Sequence, residues 1–387
     1  MCASRSTPRE VLILAGTRPE GVKTAPLIRR LLDDPRFTVR VADTGQQPGR
    51  VTEALAPFDL CPEVSLRPQR RTGSLAELAA ALITGIDDLL TRHRPAAVVV
   101  QGDTTTALAG GTAAFWRRVP VVHLEAGLRT NDLDRPFPEE ANRAMLARIA
   151  ALHLAPTPAA RANLIGEGIR SDAIVVTGNT VVDALQDLVE RGTAQAPAWV
   201  DPARKLVVAT VHRRENWGHG VAATVDGLRR LARQCPDVQI VLVAHPNPQL
   251  SAQVTTGLAG ITNARVTPPL PYPQMVGLLR AADLVVTDSG GLQEEAATLG
   301  VPLLVTRDTT ERPEALTPGR GELVGTDPER LVSAGLRHLA AGRAGAVGSP
   351  FGDGRAGERS VVAIAELLNV PAGRLVQPRR RPVAAAT

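Results

Sequence analysis

The feature that most constrains this chain is a rhythm that stops and then starts again. Short, continuous apolar runs rich in Val, Leu and Ile alternate with helical stretches. The first set of runs falls at residues 11–15, 38–42, 97–100, 121–124, 152–155 and 174–176, with helices predicted near 22–32 and 105–117. Runs without polar alternation are strands covered on both faces, and strands spaced by helices form a parallel sheet in βα units. Residues 190–205 hold Gly192, Pro197 and Pro202 and carry no period, so they read as a linker. The rhythm resumes with runs at 206–210, 239–243, 264–266, 284–287 and 303–305, and helices near 272–282, 291–299, 327–341 and 358–368. The expectation is an α/β protein in four parts: a domain at 1–190, a linker at 191–205, a domain at 206–370, and a basic, flexible tail at 371–387. A chain of 387 residues is long enough for two cores.

Composition narrows the class. With 44% hydrophobic and 21% charged residues the chain should fold as a soluble globule, and with 2% aromatics its cores must be aliphatic. The formal charge of +5 owes much to Arg374, Arg379, Arg380 and Arg381 in the tail, which read as solvated. No basic stripe interleaved with aromatics occurs, so nucleic acid is not an expected partner. A mildly basic cleft for a small anion accounts for the remaining charge. Cys2, Cys61 and Cys235 are too scattered for a zinc site or a disulfide framework and point to a reducing compartment. No apolar run approaches the roughly 18 residues of a membrane span. The expected setting is cytoplasmic, with no membrane partner and no metal.

The chemistry clusters at strand ends, where open α/β sheets bind their ligands. Gly16-Thr17-Arg18-Pro19-Glu20 follows the first strand, with Lys23 a turn later; Arg18 and Lys23 then stand near a helix N-terminus, which favours anions. Gln101-Gly102-Asp103 follows the third run, where Asp103 is either a helix N-cap or a functional acid. Glu125 lies in His123-Leu124-Glu125-Ala126-Gly127. Glu139 and Glu140 open the next predicted helix, followed by Asn142 and Arg143. Asp103, Glu125 and Glu139 thus gather on one side, as carboxylates able to trade protons near neutral pH do; a first-turn helix role competes for Glu139. In the second half, His212 with Arg213 and Arg214, and then His245, follow strands and suit a phosphate. Ser289, Gly290 and Gly291 lie between strand and helix, where backbone N–H groups can cradle a diphosphate, and Glu295 is one turn on. Arg312 follows the next strand in another charged loop.

The strings GTRPE, QGDTTT, HLEAGLRT, PFPEEANR, TVHRREN, HPNP, TDSGGLQEEAATLG and TERPE occur in order over residues 10–326. Together they resemble the non-hydrolysing UDP-N-acetylglucosamine 2-epimerase family. The resemblance implies a GT-B fold, with two Rossmann-like domains whose parallel sheets face a central cleft holding UDP. It implies loss of UDP to give a 2-acetamidoglucal, re-addition after protonation at C2 from the opposite face, and no cofactor, in keeping with the missing GxGxxG. Carried over by motif, Asp103, Glu125, Glu139 and His212 are the catalytic candidates. Arg18, Lys23, Arg143, Arg213, His245, Ser289, Gly290, Gly291, Glu295 and Arg312 are the candidates for substrate and UDP binding. A homodimer is the implied assembly.

The chain departs from the family at Gln46-Gln47-Pro48-Gly49 and at Thr72-Gly73, positions that in the family help hold an activating second UDP-sugar. Weak or absent activation by substrate is the resulting expectation. Rival readings are a GT-B glycosyltransferase, which would share the Ser289–Gly291 turn and Glu295 without needing the three carboxylates together, a hydrolysing epimerase with a similar site, and a UDP-sugar sensor without catalysis.

Overall fold

The computed structural model describes residues 7–212, 217–316, 319–343 and 348–371. Its first sheet comprises β1 (Arg9–Ala15), β2 (Phe37–Asp43), β3 (Val64–Ser65), β4 (Ala97–Gln101), β5 (Val121–Leu124), β6 (Leu152–Ala155) and β7 (Ile174–Val176), in the order β3-β2-β1-β4-β5-β6-β7. The second comprises β8 (Lys205–Thr210), β9 (Val238–Val243), β10 (Ala264–Thr267), β11 (Leu284–Thr287), β12 (Leu303–Val305) and β13 (Gly321–Leu323), in the order β10-β9-β8-β11-β12-β13. Every pairing is parallel. Each apolar run expected from the sequence is a strand. Two further strands, β3 and β13, leave no apolar run in the sequence, because one has two residues and the other reads Gly-Glu-Leu.

Continuous apolar runs arise here because each strand feeds two cores. Val11, Ile13 and Ala15 of β1 pack into one layer, and Leu12 and Leu14 into the layer on the opposite face. Val207 and Ala209 of β8 likewise face away from Leu206 and Val208. The first helix, Arg18–Leu32, starts four residues before its apolar period does. Thr17 occupies its N-cap and Pro19 its first turn, so the polar opening Arg18-Pro19-Glu20 is helical although it shows no apolar periodicity.

Between the helix Thr180–Glu190 and β8 there is no regular element. This segment is nonetheless seated: Ala194 is buried, and its carbonyl accepts from Arg280 Nη1 at 3.2 Å. The closing helix, Ala356–Leu367, returns to the first half. Asp183 accepts from Ala356 N and Gly357 N at 3.1 and 2.9 Å and so caps it. Val361 and Ile364 then join Ile28 and Leu31 in one core.

Strand order reverses direction between β1 and β4 in one sheet and between β8 and β11 in the other. Crevices open at such switch points, beyond the carboxyl ends of the strands. Gly16, Gly102, His212 and Asp288 follow these four strands, so the topology alone aims the GTRPE, QGD and TDSGG segments and His212 at one cleft.

Candidate active site

From the first half, Asp103 is partly open to the cleft and is gripped by Arg143, whose Nε and Nη2 lie 2.9 and 2.5 Å from Asp103 Oδ2. Asn142 Nδ2 donates to the Asp103 carbonyl at 2.8 Å. Thr104, rather than Asp103, caps the helix Thr105–Trp116, accepting from Ala107 N. The cap competing with a functional role for Asp103 is therefore filled by its neighbour. Glu139 opens the helix Glu139–Ile149 and is half-buried. It stands one turn before Asn142 and Arg143, hence on the helix face that meets Asp103. Glu140 is buried and structural: it accepts from Thr130 N and Asn131 N at 3.0 Å each and from Arg143 Nη1 at 2.7 Å.

Glu125 sits at the end of β5 with φ of 66°, a left-handed conformation rare for a residue with a Cβ. Such conformations persist only where the surroundings over-determine them, and here the carboxylate is held from several sides. Oε2 accepts from Lys23 Nζ at 2.5 Å, Gln101 Nε2 at 2.9 Å and Asn179 Nδ2 at 3.4 Å, and Oε1 accepts from Arg312 Nη2 at 3.4 Å. Burial, with the nearby Glu294 carboxylate, raises the Glu125 pKa against the pull of Lys23 and Arg312. Lys23, whose charge burial alone would disfavour, is kept protonated by Glu125 and Glu294.

From the second half, the helix Gly290–Thr298 points its N-terminus at the cleft, with Ser289 at the N-cap. A Cβ at Gly290 would lie 2.3 Å from Arg312 Nη1, so any larger residue there would have to displace the guanidinium from its carboxylates. A Cβ at Gly291 would meet no protein atom within 4 Å, which leaves the backbone approachable from the cleft. Glu295 accepts from Tyr272 Oη at 3.1 Å, and Arg18 lies over the Tyr272 ring at 5.9 Å. Burial pushes the Glu295 carboxyl up to about 7, opposed by the Tyr272 hydrogen bond and the Arg18 charge. At the other switch point, His212 N donates to Asp288 Oδ1 at 2.8 Å, and the His212 and His245 rings meet edge-on at 4.9 Å. Arg213 lies outside the described residues, as do residues 372–387 of the tail.

The two halves interlock through charges. Lys23 Nζ is 2.7 Å from Glu294 Oε2, and Arg312 Nε donates to Glu294 Oε1 at 2.6 Å. Arg312 also pairs with Glu311, which accepts from Arg307 Nη1 at 2.8 Å and lies 3.6 Å from Arg143 Nη2. Arg307 stands out in sequence only as part of a charged loop, and Glu294, Glu311, Gln101 and Asn179 are not candidates from sequence. Glu294 and Glu311 stood inside quoted motifs, each beside a residue that was chosen; only the fold reveals which neighbour turns inward. In the sequence Glu20 reads as part of a turn. It is fully buried, with a carboxyl raised to about 7 by desolvation, and it clasps Gly16 N, Thr17 and Thr104 at 3.0, 2.8 and 2.7 Å, joining the turns after β1 and β4.

Among the described residues no group of three or more His, Cys, Asp and Glu is placed to hold a metal, and no helix is long and apolar enough to cross a membrane. Two parallel sheets whose switch points share one cleft make a GT-B fold. The glycotransferase of kitacinnamycin shares that fold alone, at 14% identity and a TM-score of 0.58. A family model described as UDP-N-acetylglucosamine 2-epimerase matches residues 29–365, and the chain belongs to that family. It is 40% identical over 371 residues to the UDP-N-acetylglucosamine 2-epimerase of Escherichia coli K12 and 41% identical over 368 residues to that of Yersinia pestis; each match covers 92% of this chain and 98% of the relative. The crystal structure of the Neisseria meningitidis UDP-GlcNAc 2-epimerase bound to UDP-GlcNAc is similar at a TM-score of 0.87 and 35% identity, covering 92% of this chain and 100% of that one.

Proposed function

We propose that the enzyme interconverts UDP-GlcNAc and UDP-ManNAc. A base takes the C2 proton, the C1–O bond breaks with its electron pair leaving on UDP, and a C1=C2 double bond forms. A proton then reaches C2 from the opposite face, and the UDP oxygen re-adds at C1. The observation that carries this reading is the placement of Asp103 and Glu125 at the ends of neighbouring strands, facing the glycine-opened helix of the other half. Glu139 completes the proton-transfer set from the adjoining helix. His212, Arg18, Lys23, Arg143, His245 and Arg312 supply positive or hydrogen-bonding groups around the departing diphosphate, preorganised where charge develops, and the motif assigns Arg213 the same role. The N–H groups at Ser289, Gly290 and Gly291 receive the diphosphate, and Glu295 accepts from the ribose. In this reading residues 1–190 are the sugar and proton-transfer side, 206–370 the UDP side, and 191–205 the connection between them.

Proton NMR of the enzyme with UDP-GlcNAc in D2O tests the reaction. UDP-ManNAc should appear, with deuterium at C2 of both sugars. Free ManNAc and UDP accumulating instead would establish the hydrolysing reaction, and no C2 exchange would sink the elimination mechanism.

We also propose a cytoplasmic homodimer. Phe115, Trp116 and Met145 lie exposed on two helices that pack side by side, and apolar surface of this kind is characteristic of interfaces. Sedimentation equilibrium is expected to give twice the chain mass of 40.8 kDa; a single-chain mass at micromolar protein would refute the dimer.

A further inference from the structure

We propose that Glu294, contributed by the second half, is a positioning residue that sets the charge balance of Glu125 in the first half by sharing both of its cations. The inference rests on the reading of Glu125 as a proton-transfer group. Its geometry is a closed ring of alternating charge. Lys23 Nζ stands 2.5 Å from Glu125 and 2.7 Å from Glu294. Arg312 closes the ring with Nε 2.6 Å from Glu294 and Nη2 3.4 Å from Glu125. All four side chains are at least nine-tenths buried, and Glu294 is fully so. Lys23 and Glu125 come from the elements after β1 and β5, whereas Glu294 and Arg312 come from the elements after β11 and β12. Glu125 therefore acquires its complete electrostatic surroundings only from both halves together.

The ring matters because two buried cations acting on one carboxylate would hold it firmly ionised. A group that must both take and release a proton near neutral pH cannot be held so. Burial raises Glu125, and Glu294 adds to this by dividing the attraction of Lys23 and Arg312 and by its own repulsion, so Glu125 is raised although two cations touch it. Glu294 itself is lowered: burial opposes its charge, but Arg312 and Lys23 outweigh it. One carboxylate thus stays charged so that the other need not. Two further carboxylates reach the ring: Glu295, which accepts from Tyr272 and feels Arg18, Glu294 and Lys23, and Glu311. Glu311 binds Arg312 and Arg307 and approaches Arg143, and Arg143 is held by Asp103 and Glu140. Gln101 and Asn179 complete the contacts of Glu125 as neutral donors.

The test is the pH profile of kcat/KM for Glu294→Gln, a near-isosteric change that removes the charge and turns one of the two acceptor oxygens facing Lys23 and Arg312 into an amide donor. One limb of the profile is expected to move to lower pH by about one unit or more, the size of effect a neighbouring charge exerts, while the other limb stays. The acid limb moves if Glu125 serves as base, and the alkaline limb if it serves as acid. Glu294→Asp, with a carboxylate set back by one methylene, is expected to move the same limb in the same direction by a fraction of that amount, and it provides the measurement if the Gln variant is insoluble. A uniform loss of turnover with both limbs unmoved would assign Glu294 a merely structural role and overturn the inference. Glu125→Gln separates the two levels of the argument. If it retains full turnover, the assignment of Glu125 fails; if it is inactive while the limbs of the Glu294 variants do not move, only the role of Glu294 fails.

Discussion

Replacing Asp103 by Asn, or Glu125 by Gln, is expected to lower turnover by about 10²–10⁴-fold, the usual contribution of a positioned proton-transfer group. Each change keeps the shape of the side chain. Asp103→Asn would still leave Arg143 with Glu140 at 2.7 Å, and the amide introduced by Glu125→Gln would still accept through one oxygen in a pocket that offers Lys23, Gln101, Asn179 and Arg312 as donors. KM is expected to stay within a few-fold, because neither carboxylate lies at the glycine-opened helix end where the diphosphate is proposed to bind. The informative readout is deuterium at C2. A variant lacking the group that protonates the opposite face should wash deuterium into its own substrate without forming the epimer. A variant lacking the base for that substrate should show neither event. Running both variants from UDP-GlcNAc and from UDP-ManNAc therefore assigns each carboxylate to a face. Because the two transfers occur in sequence, the double variant should be little slower than the slower single one. Turnover within tenfold of the parent for both single variants would remove these residues from the reaction.

The two-sheet plan was legible because burial on both faces leaves an unmistakable mark: Val11 to Ala15 and Leu206 to Thr210 offer a sheet no polar face to expose. Strand ends were legible for a related reason. Charged residues that directly follow such a run must sit where the sheet stops. The positions of Asp103, Glu125, His212 and Ser289 follow from that alone. Pairing across the cleft was not legible. Glu294 and Glu295 are adjacent and chemically alike, yet one closes a ring with Lys23 and Arg312 while the other meets Tyr272. A rotation of about 100° per helical residue separates the two directions, and nothing local says which faces the other half. Glu20 was hidden in the same way. A carboxylate in the first turn of a helix reads as a solvated partner of the macrodipole, and only the approach of Thr104 from another strand end turns it into a buried clasp. The last helix returns to the first half, where Asp183 caps it, and an apolar face alone does not say which half will cover it.

The largest loss of stability is expected from Arg312→Met. Arg312 is buried and faces Glu125, Glu294 and Glu311 at once. A methionine fills a similar volume but leaves three carboxylates with Lys23, Arg307 and the more distant Arg143 as their remaining cations. Breaking a buried ion pair from one side costs about 3–5 kcal/mol, mostly through the charge left behind. For a protein of this size that corresponds to a fall of roughly 4–6 °C in the midpoint of thermal unfolding at neutral pH. The pH dependence has a definite sign. Without Arg312 the carboxylates are raised in the folded state above their unfolded values, so the folded state binds the extra protons. The deficit is therefore greatest at high pH and shrinks as pH falls through the raised folded-state values. Adding Glu311→Gln should return part of the loss, because it removes one of the stranded charges. A midpoint unchanged at neutral pH, or a deficit that grows as pH falls, would mean that the charges between the two halves do not hold them together. The covering apolar layers would then have to be doing so alone.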